Sequence, residues 1–563
     1  MSDLILGWQV TPNLEPRYWM TPDASRIGFS DTDLFRVSPA GIGSHTAIIA
    51  QSGSGKSFFL GRVVEEILLR TKARCLIFDP NADFRRLHEV EQESLWADTS
   101  PYNVRTRAGK ITHEQVRADF LSAWNDVSIV IRVGSPVNEK PYQQLQLAWP
   151  AVSADFLSED LEPVQRSELY HCHEFVRAVY VLLTMKPTGD KKIDYLGRIE
   201  SLLSQAMSSP ADFINAMRDE FLDEPVVEEK PHVLGVFFFR RPSGEVTQKL
   251  MKRIRERHIQ QASAAARYVS PEVKRYYFGR LAEFRAAQII DERSGQSEKA
   301  SHDLSRVEVL DLPSLSSPTA RLLAMSAVLA TEWNRARSEW SAALSVKNTD
   351  EDKRVPTFVI VDEAHNVIPH EARSKAAFAL REQFRTIIAE GRKYGLFLIL
   401  VSQRPDKLDP LVVSECENRA VMRMTSAAAL DKTREMLALD DIPSNILAKC
   451  LDMPIGRALL AGPWSPDGPE FMYAAARRTV EGGRNLRVRY WGTETKPSSP
   501  RLTKPPLSST STSAVAAPPS GETASTKTDK RAAAQRKKAS PSKKRPHKAA
   551  KRQKAKSTRE RGA

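Results

Sequence analysis

The chain has 563 residues, long enough for two or three domains, with 83 Lys and Arg against 69 Asp and Glu, a formal net charge of +14 at pH 7. That excess sits at one end: residues 496–563 hold 19 basic and three acidic residues (+16), which leaves 64 against 66 (−2) for everything before them, so the body of the protein is a near-neutral globular sequence. Cys75, Cys172, Cys416 and Cys450 lie far apart with no C-x-x-C spacing, which argues against a disulfide framework or zinc ribbon and for a reducing, cytoplasmic compartment; no run of 18 apolar residues is present to insert in a membrane, and the N-terminus lacks a basic-then-apolar leader.

Residues 1–44 form a short, proline-broken N-terminal segment. Thr46-Ala47-Ile48-Ile49 then reads as a strand and stops at Ala50-Gln51-Ser52-Gly53-Ser54-Gly55-Lys56-Ser57, after which Phe58 to Leu69 has helical apolar spacing. The stretch fits G-x-x-x-x-G-K-[ST] except that Ala50 stands in the first glycine position. Backbone N–H groups of Gly53, Ser54 and Gly55 would surround a polyphosphate, aided by the positive end of the following helix. Lys56 would reach the β and γ phosphates of ATP, and Ser57 would ligate Mg²⁺. A glycine-rich turn that merely contains a lysine is the plain alternative. "RCLIFDP" (74–80) supplies another strand with Asp79 at its tip, and residues 45–95 make up the first part of the core.

Residues 96–300 read as a mainly helical insertion, with helical spans at 167–186, 195–221 and 245–293. Within 249–285 there are ten Lys or Arg against three acids; facing a channel they would follow a phosphate backbone, facing outward they would only keep the helices soluble. His171-Cys172-His173 has no second ligand pair at metal spacing.

The core resumes over 301–485. "RVEVLDL" (306–312) is strand-like, a helix follows from about Pro318 to Trp340, and "TFVIVDEAH" (357–365) is a buried-type strand that ends in two carboxylates. Asp362 would hold the Mg²⁺ shell, and Glu363 would orient and polarise an attacking water. A helix from about Ala372 to Lys393 places Leu380, Phe384, Ile387 and Ile388 on one face and Arg381, Arg385 and Arg392 within roughly 40° of each other. "GLFLILVSQRP" (395–405) is a strand with Gln403 at its carboxyl end, where parallel sheets place ligand chemistry, and "RAVMRMT" (419–425) is expected to be the last strand. From residue 486 an arm leads into a tail without Phe, Trp or Tyr after 496, too apolar-poor to fold; "KKRPHKAAKRQKAK" (543–556) suits polyanion binding by counterion release, with nucleic acid the expected polyanion and a nuclear address or a solvating tail the plainer readings.

These motifs, in this order, resemble the HerA/FtsK group of P-loop motor ATPases, most closely the HerA-type DNA translocases: "SGSGKS", "IFDPNADF", "VIVDEAHNVIP", "AEGRKYGLFLILVSQRPDKLD" and "ARRTVEGG" near residue 480 carry the likeness. The resemblance implies an α/β, RecA-like P-loop NTPase core with a large helical insertion and a disordered basic C-terminal tail, hydrolysing ATP with Mg²⁺ and working on DNA as a hexameric homo-oligomer, with a nuclease or other effector as partner. It implies Lys56 and Ser57 as nucleotide and Mg²⁺ residues, Asp79 as a further active-site acid, Glu363 as catalytic carboxylate, Gln403 as sensor, and Arg392 as the arginine inserted into a neighbour's site, with Arg385 in reserve; a surface glutamine closing a strand and an ordinary solvated or salt-bridged arginine face are the plain alternatives. HerA proteins usually carry a β-barrel before the motor, and the 45 residues here are too few for one. A conjugation or type IV secretion ATPase, with a nearly identical site, and a nucleotide-dependent scaffold remain alternatives.

Overall fold

The computed structural model describes residues 3–15, 17, 19–20, 26–28, 31–91, 111–148, 152–158, 161–184, 194–222, 244–286, 290–291, 305–344 and 354–482. The basic tail expected after residue 486 lies outside these residues. Its organising element is a 12-stranded sheet. In chain order the strands are β1 (Leu4–Gln9), β2 (Leu34–Val37), β3 (Thr46–Ile49), β4 (Arg74–Asp79), β5 (Ile129–Val133), β6 (Tyr142–Gln144), β7 (Val307–Asp311), β8 (Thr357–Val361), β9 (Leu396–Ser402), β10 (Asn418–Met422), β11 (Arg457–Gly462) and β12 (Ser465–Ala474). In space they run β2-β1-β12-β11-β10-β3-β9-β8-β4-β7-β5-β6. From β10 to β6 every neighbouring pair is parallel, whereas β10 through β2 on the other flank pair antiparallel.

A parallel sheet is covered on both faces, so its strands are apolar throughout; every residue of β3, β4 and β8 is buried. The period-2 alternation divides these residues between two cores. On one face Ile48, Ile77, Ile360 and Val401 pack with Phe59, Leu60, Val63 and Ile67 of α1 (Lys56–Arg70) and with Phe120 and Trp124 of α2 (His113–Trp124). The opposite face, through Ile49, Phe78, Val361 and Leu400, joins the insertion helices α3 (Pro163–Thr184), α4 (Tyr195–Ser208), α5 (Pro210–Phe221), α6 (Gly244–Ala266) and α7 (Pro271–Ala286), together with α8 (Pro318–Ala343) and α9 (Lys375–Tyr394). The last two start at serine caps, Ser317 and Ser374, whose side chains accept the N–H of Ala320 and Ala377.

Four parts differ from the sequence reading. The N-terminal segment is not separate: β1 and β2 extend the sheet, and a buried network of Arg62 and Glu66 in α1 holds Ile5 through its carbonyl and its N–H, the latter 2.7 Å from Glu66. The insertion is less helical at its start, because residues 129–144 supply β5 and β6 on the far flank of the sheet. Strand β10 is not the last, since the hairpin β11-β12 returns to pair with β1; the glycines and prolines of "GPWSPDGPEF" mask its alternation. The span 195–221 also breaks into α4 and α5 at Pro210, a favourable first helical residue but a poor interior one.

Among the described residues, His45 and His173 are the fully buried histidines. His45 accepts the N–H of Leu398 through Nδ1 at 2.9 Å, and His173 sits 2.8 Å from the Tyr277 hydroxyl; burial pulls each down from 6.5 to about 4. Of the neighbours of His173, Cys172 is buried and His171 stacks on Tyr268. Between pH 4 and 6.5 the unfolded chain binds the protons that the folded one refuses, so this contribution is complete above the unfolded value and is lost as pH falls toward the folded one. Buried Asp79 acts in the opposite sense, so the useful measurement is a difference. The slope of unfolding free energy against pH in this window should flatten by about one proton in His173→Gln; equal slopes for variant and wild type in urea titrations would show that His173 is not held neutral.

Candidate nucleotide site

The order β3-β9-β8-β4 in a parallel sheet brings the carboxyl ends of four strands together. Each ends in a group singled out from sequence: the phosphate loop after β3, Gln403 after β9, Asp362 and Glu363 after β8, and Asp79 closing β4. Within the loop Gly53 and Gly55 have φ of +74° and +95°, left-handed conformations that a Cβ would strain, and Gly55 directly precedes the first residue of α1, Lys56. Neighbouring elements hold the loop: Ala50 N–H donates to the Ser402 carbonyl, Gly456 N–H to the Ser54 carbonyl, and Arg423 to the Gly53 carbonyl at 3.3 Å. No motif contains Arg423, and its one signal in the sequence is a lone cation at the end of the strand beside β3.

Lys56 Nζ lies 2.6 Å from Asp362 Oδ1 and 2.6 Å from Glu363 Oε1, across 306 and 307 positions of sequence. All three side chains are buried. One ammonium between two carboxylates leaves net negative charge in a medium that solvates it poorly. Burial disfavours the lysine cation, but Asp362 and Glu363 outweigh that and raise its pKa; for Asp362 burial outweighs the lysine, and its pKa is also raised. Gln403 Nε2 donates to the same Glu363 Oε1. Glu363 itself has φ 46° and ψ 46°, a strained conformation for a non-glycine that costs on the order of 1–3 kcal/mol and occurs where the carboxylate leaves the strand. Burial lowers the pKa of His365, which lies 3.1 Å from Ser402 Oγ and 3.4 Å from Glu363 Oε2.

Asp79 and Ser57 each bond the loop after β4 rather than the Lys56 cluster. Asp79 accepts the backbone N–H of Asn81, Asp83 and Phe84 at 3.3, 3.1 and 2.7 Å, folding the loop that follows β4; burial, with Asp83 and Asp362 nearby, lifts it to about 7. Ser57 Oγ instead donates to Asp83 Oδ2 at 2.6 Å, an acid to which the sequence assigns no role. Arg392 is on the other edge of the sheet: it precedes β9, pairs with Glu417, which precedes β10, and Glu417 also accepts from Ser44 ahead of β3. Arg381 is buried against the carbonyls of Pro369 and His370 and Arg385 bonds Asp409, so of the three aligned arginines Arg392 is the most exposed.

The residues fit a nucleotide with a divalent cation. Ser54 Oγ and Glu363 Oε2 are buried and have no hydrogen-bond partner among the described residues, and at Lys56 two carboxylates face one ammonium. No group of three His, Cys, Asp or Glu among the described residues stands in metal-holding geometry, but Mg²⁺ beside phosphates needs only one or two protein ligands, with water and phosphate oxygens for the rest; the loop after β4 touches both Ser57, through Asp83, and Asp362, through Asn81.

Residues 36–332, more than half of the chain, match the family model described as the central domain of the helicase HerA. A probable helicase of Methanocaldococcus jannaschii is 32% identical over 108 residues, 19% of this chain and 20% of that protein. The DNA double-strand break repair helicase HerA of Sulfurisphaera tokodaii is 30% identical over 110 residues, 19% and 21% respectively. The matched part is thus about a fifth of the length of these relatives. Among solved structures, the bacterial conjugative coupling protein TrwBdeltaN70 aligns over 79% of this chain and 90% of that one, at 13% identity and a TM-score of 0.37.

Among the described residues Gln403 hydrogen-bonds Glu363. Gln403→Ala should therefore leave ATP affinity within about twofold and lower turnover by about 10²-fold, the usual size for one positioned donor; a Kd that weakens in step with turnover would mean that Gln403 acts in binding.

Proposed function

Because the chain belongs to the family of the HerA helicase central domain, we propose that it is an ATP-hydrolysing motor that moves along DNA as a ring of identical subunits, hexameric in this reading. One observation carries the ATPase part: the Lys56 ammonium between Asp362 and Glu363, with Gln403 on the same Glu363 oxygen. A triphosphate in the loop would accept the N–H groups of residues 53–55 and draw Lys56 toward its terminal oxygens. Glu363, released from the lysine, then accepts a proton from an attacking water and orients it, while Gln403 holds the carboxylate in place. Ser57 and Asp362 would hold Mg²⁺, which when bound offsets phosphate charge.

Arg392 is assigned to the site of the neighbouring subunit. Its place on the amino edge of the sheet keeps it from its own Lys56, it is half exposed, and an exposed pairing such as that with Glu417 is weak enough to exchange. A cyclic, heterologous interface would bring this edge of one subunit to the carboxyl edge of the next. DNA is the partner suggested by the cationic tail and by Lys249, Lys252, Arg253 and Arg257, which are exposed on α6.

ATPase rates with and without duplex DNA test the reading. DNA should stimulate the wild type in a salt-sensitive way and Lys56→Ala should be inactive. Arg392→Ala should keep its ATP affinity and lose turnover by about 10³-fold or more, with mixed wild-type and mutant rings less active than their average; normal turnover in Arg392→Ala removes the trans arginine. Full biological activity in Glu363→Gln would favour the scaffold. Shortening the chain to residues 1–495 should make the salt slope of DNA binding shallower by about 0.9 for every phosphate that the tail had neutralised.

A further inference from the structure

The loop "DPNADF" and the closing "ARRTVEGG" are both singled out in the sequence, yet the ATPase reading gives the second no task and places the acid of the first at Asp79. The structure distributes these tasks differently. Both oxygens of Asp79 face inward on backbone N–H groups, so its carboxylate is spent on shaping the loop. The loop it shapes presents Asn81 to Asp362 Oδ2 at 3.3 Å and Asp83 to the Ser57 hydroxyl at 2.6 Å.

Asp83 is fixed from behind. Its carbonyl accepts Arg477 Nη2 at 3.0 Å and Gly482 N–H at 3.1 Å. The Arg477 guanidinium lies 4.7 Å from the centre of the Phe84 ring and donates through Nε to Thr479 Oγ1 at 3.0 Å. Its side chain crosses α1 at Gly61, where an added Cβ would come within 2.2 Å of it. One turn further along α1, Glu65 Oε1 accepts the N–H of Arg478 and of Thr479, each at 2.8 Å. Residues 477–482 thus bind the Asp83 loop to the helix that carries Ser57. A fully buried arginine is a costly way to fill space and is retained where it fixes geometry.

A serine that ligates a cation does so through an oxygen lone pair, so its hydrogen must point elsewhere. Resting on the ATPase reading above, we propose that Asp83 is the positioning residue of the Mg²⁺ site: it holds the Ser57 hydroxyl hydrogen and turns the lone pairs of that oxygen toward the cation. Asp79 has no part in this beyond folding the loop. Partners that orient a metal ligand from outside its coordination shell commonly change metal affinity by about 10- to 100-fold.

The test is Mn²⁺ titration of the full chain with ADP, read by the EPR signal of free Mn²⁺, beside ADP binding in EDTA. Asp83→Ala should weaken Mn²⁺ by about tenfold or more and leave metal-free ADP affinity unchanged. Ser57→Ala should weaken Mn²⁺ in the wild-type background but add little in Asp83→Ala, a coupling that a merely structural residue would not show. Should Asp83→Ala fail to fold, Asp83→Asn, which keeps an acceptor oxygen, should fold and retain intermediate affinity. Unchanged Mn²⁺ affinity in a folded Asp83→Ala, or full additivity with Ser57→Ala, overturns the inference while leaving the ATPase reading intact; a wild type that binds no ADP removes both.

Discussion

A single buried ammonium held between two carboxylates from a distant part of the chain is the constraint on which the rest of the structure depends. Lys56 and Asp362 are 306 positions apart, and their side chains meet at 2.6 Å with almost no solvent. Buried charges of this kind stabilise little in net terms, because desolvation offsets most of their attraction, but they strongly penalise arrangements in which one partner is missing. The sheet must therefore place β3 and β8 so that their tips converge, and the strand inserted between them, β9, must end in a group that tolerates the same environment. Gln403, neutral and able to donate to Glu363, meets that requirement without adding charge.

The sequence made this edge legible because its chemistry is local. A glycine-rich turn, a lysine and a helix start within eight residues, and an apolar strand that ends in two acids can place them only at its tip. The strands β3, β4, β7, β8, β9 and β10 all fall where apolar runs predict them. What the sequence hid was pairing over long separations. Residues 4–9 carry no mark of a sheet strand until β2 and β12 are seen on either side of them, and β5 and β6 sit within a region whose dominant period is helical. The acid that meets Ser57 was equally hidden: Asp79 and Asp83 look alike in "DPNADF", and only the backbone N–H groups pointing at Asp79 tell them apart.

Burial is also uneven along the arginine stripe of α9 in a way that spacing alone does not report. Arg381, Arg385 and Arg392 share an azimuth, yet the first is capped by carbonyls, the second by Asp409, and the third is left half exposed at the helix end. Helix periodicity places side chains around an axis; what covers each of them depends on the neighbours along it. Here the cover comes from Pro369, His370 and Asp409, which reach Arg381 and Arg385 but not the last turn.

A parallel sheet has two unlike edges, and this chain uses them unequally. The carboxyl edge gathers the loop, Lys56, Asp362, Glu363 and Gln403, while the amino edge offers Arg392, paired with a Glu417 that Ser44 also holds. No bending of one subunit can bring the second edge to the first, since strands of buried apolar residues stand between them. If Arg392 is to complete the charge balance at the phosphates, as the proposed ring requires, it must do so from another copy, because its own sheet stands between it and Lys56.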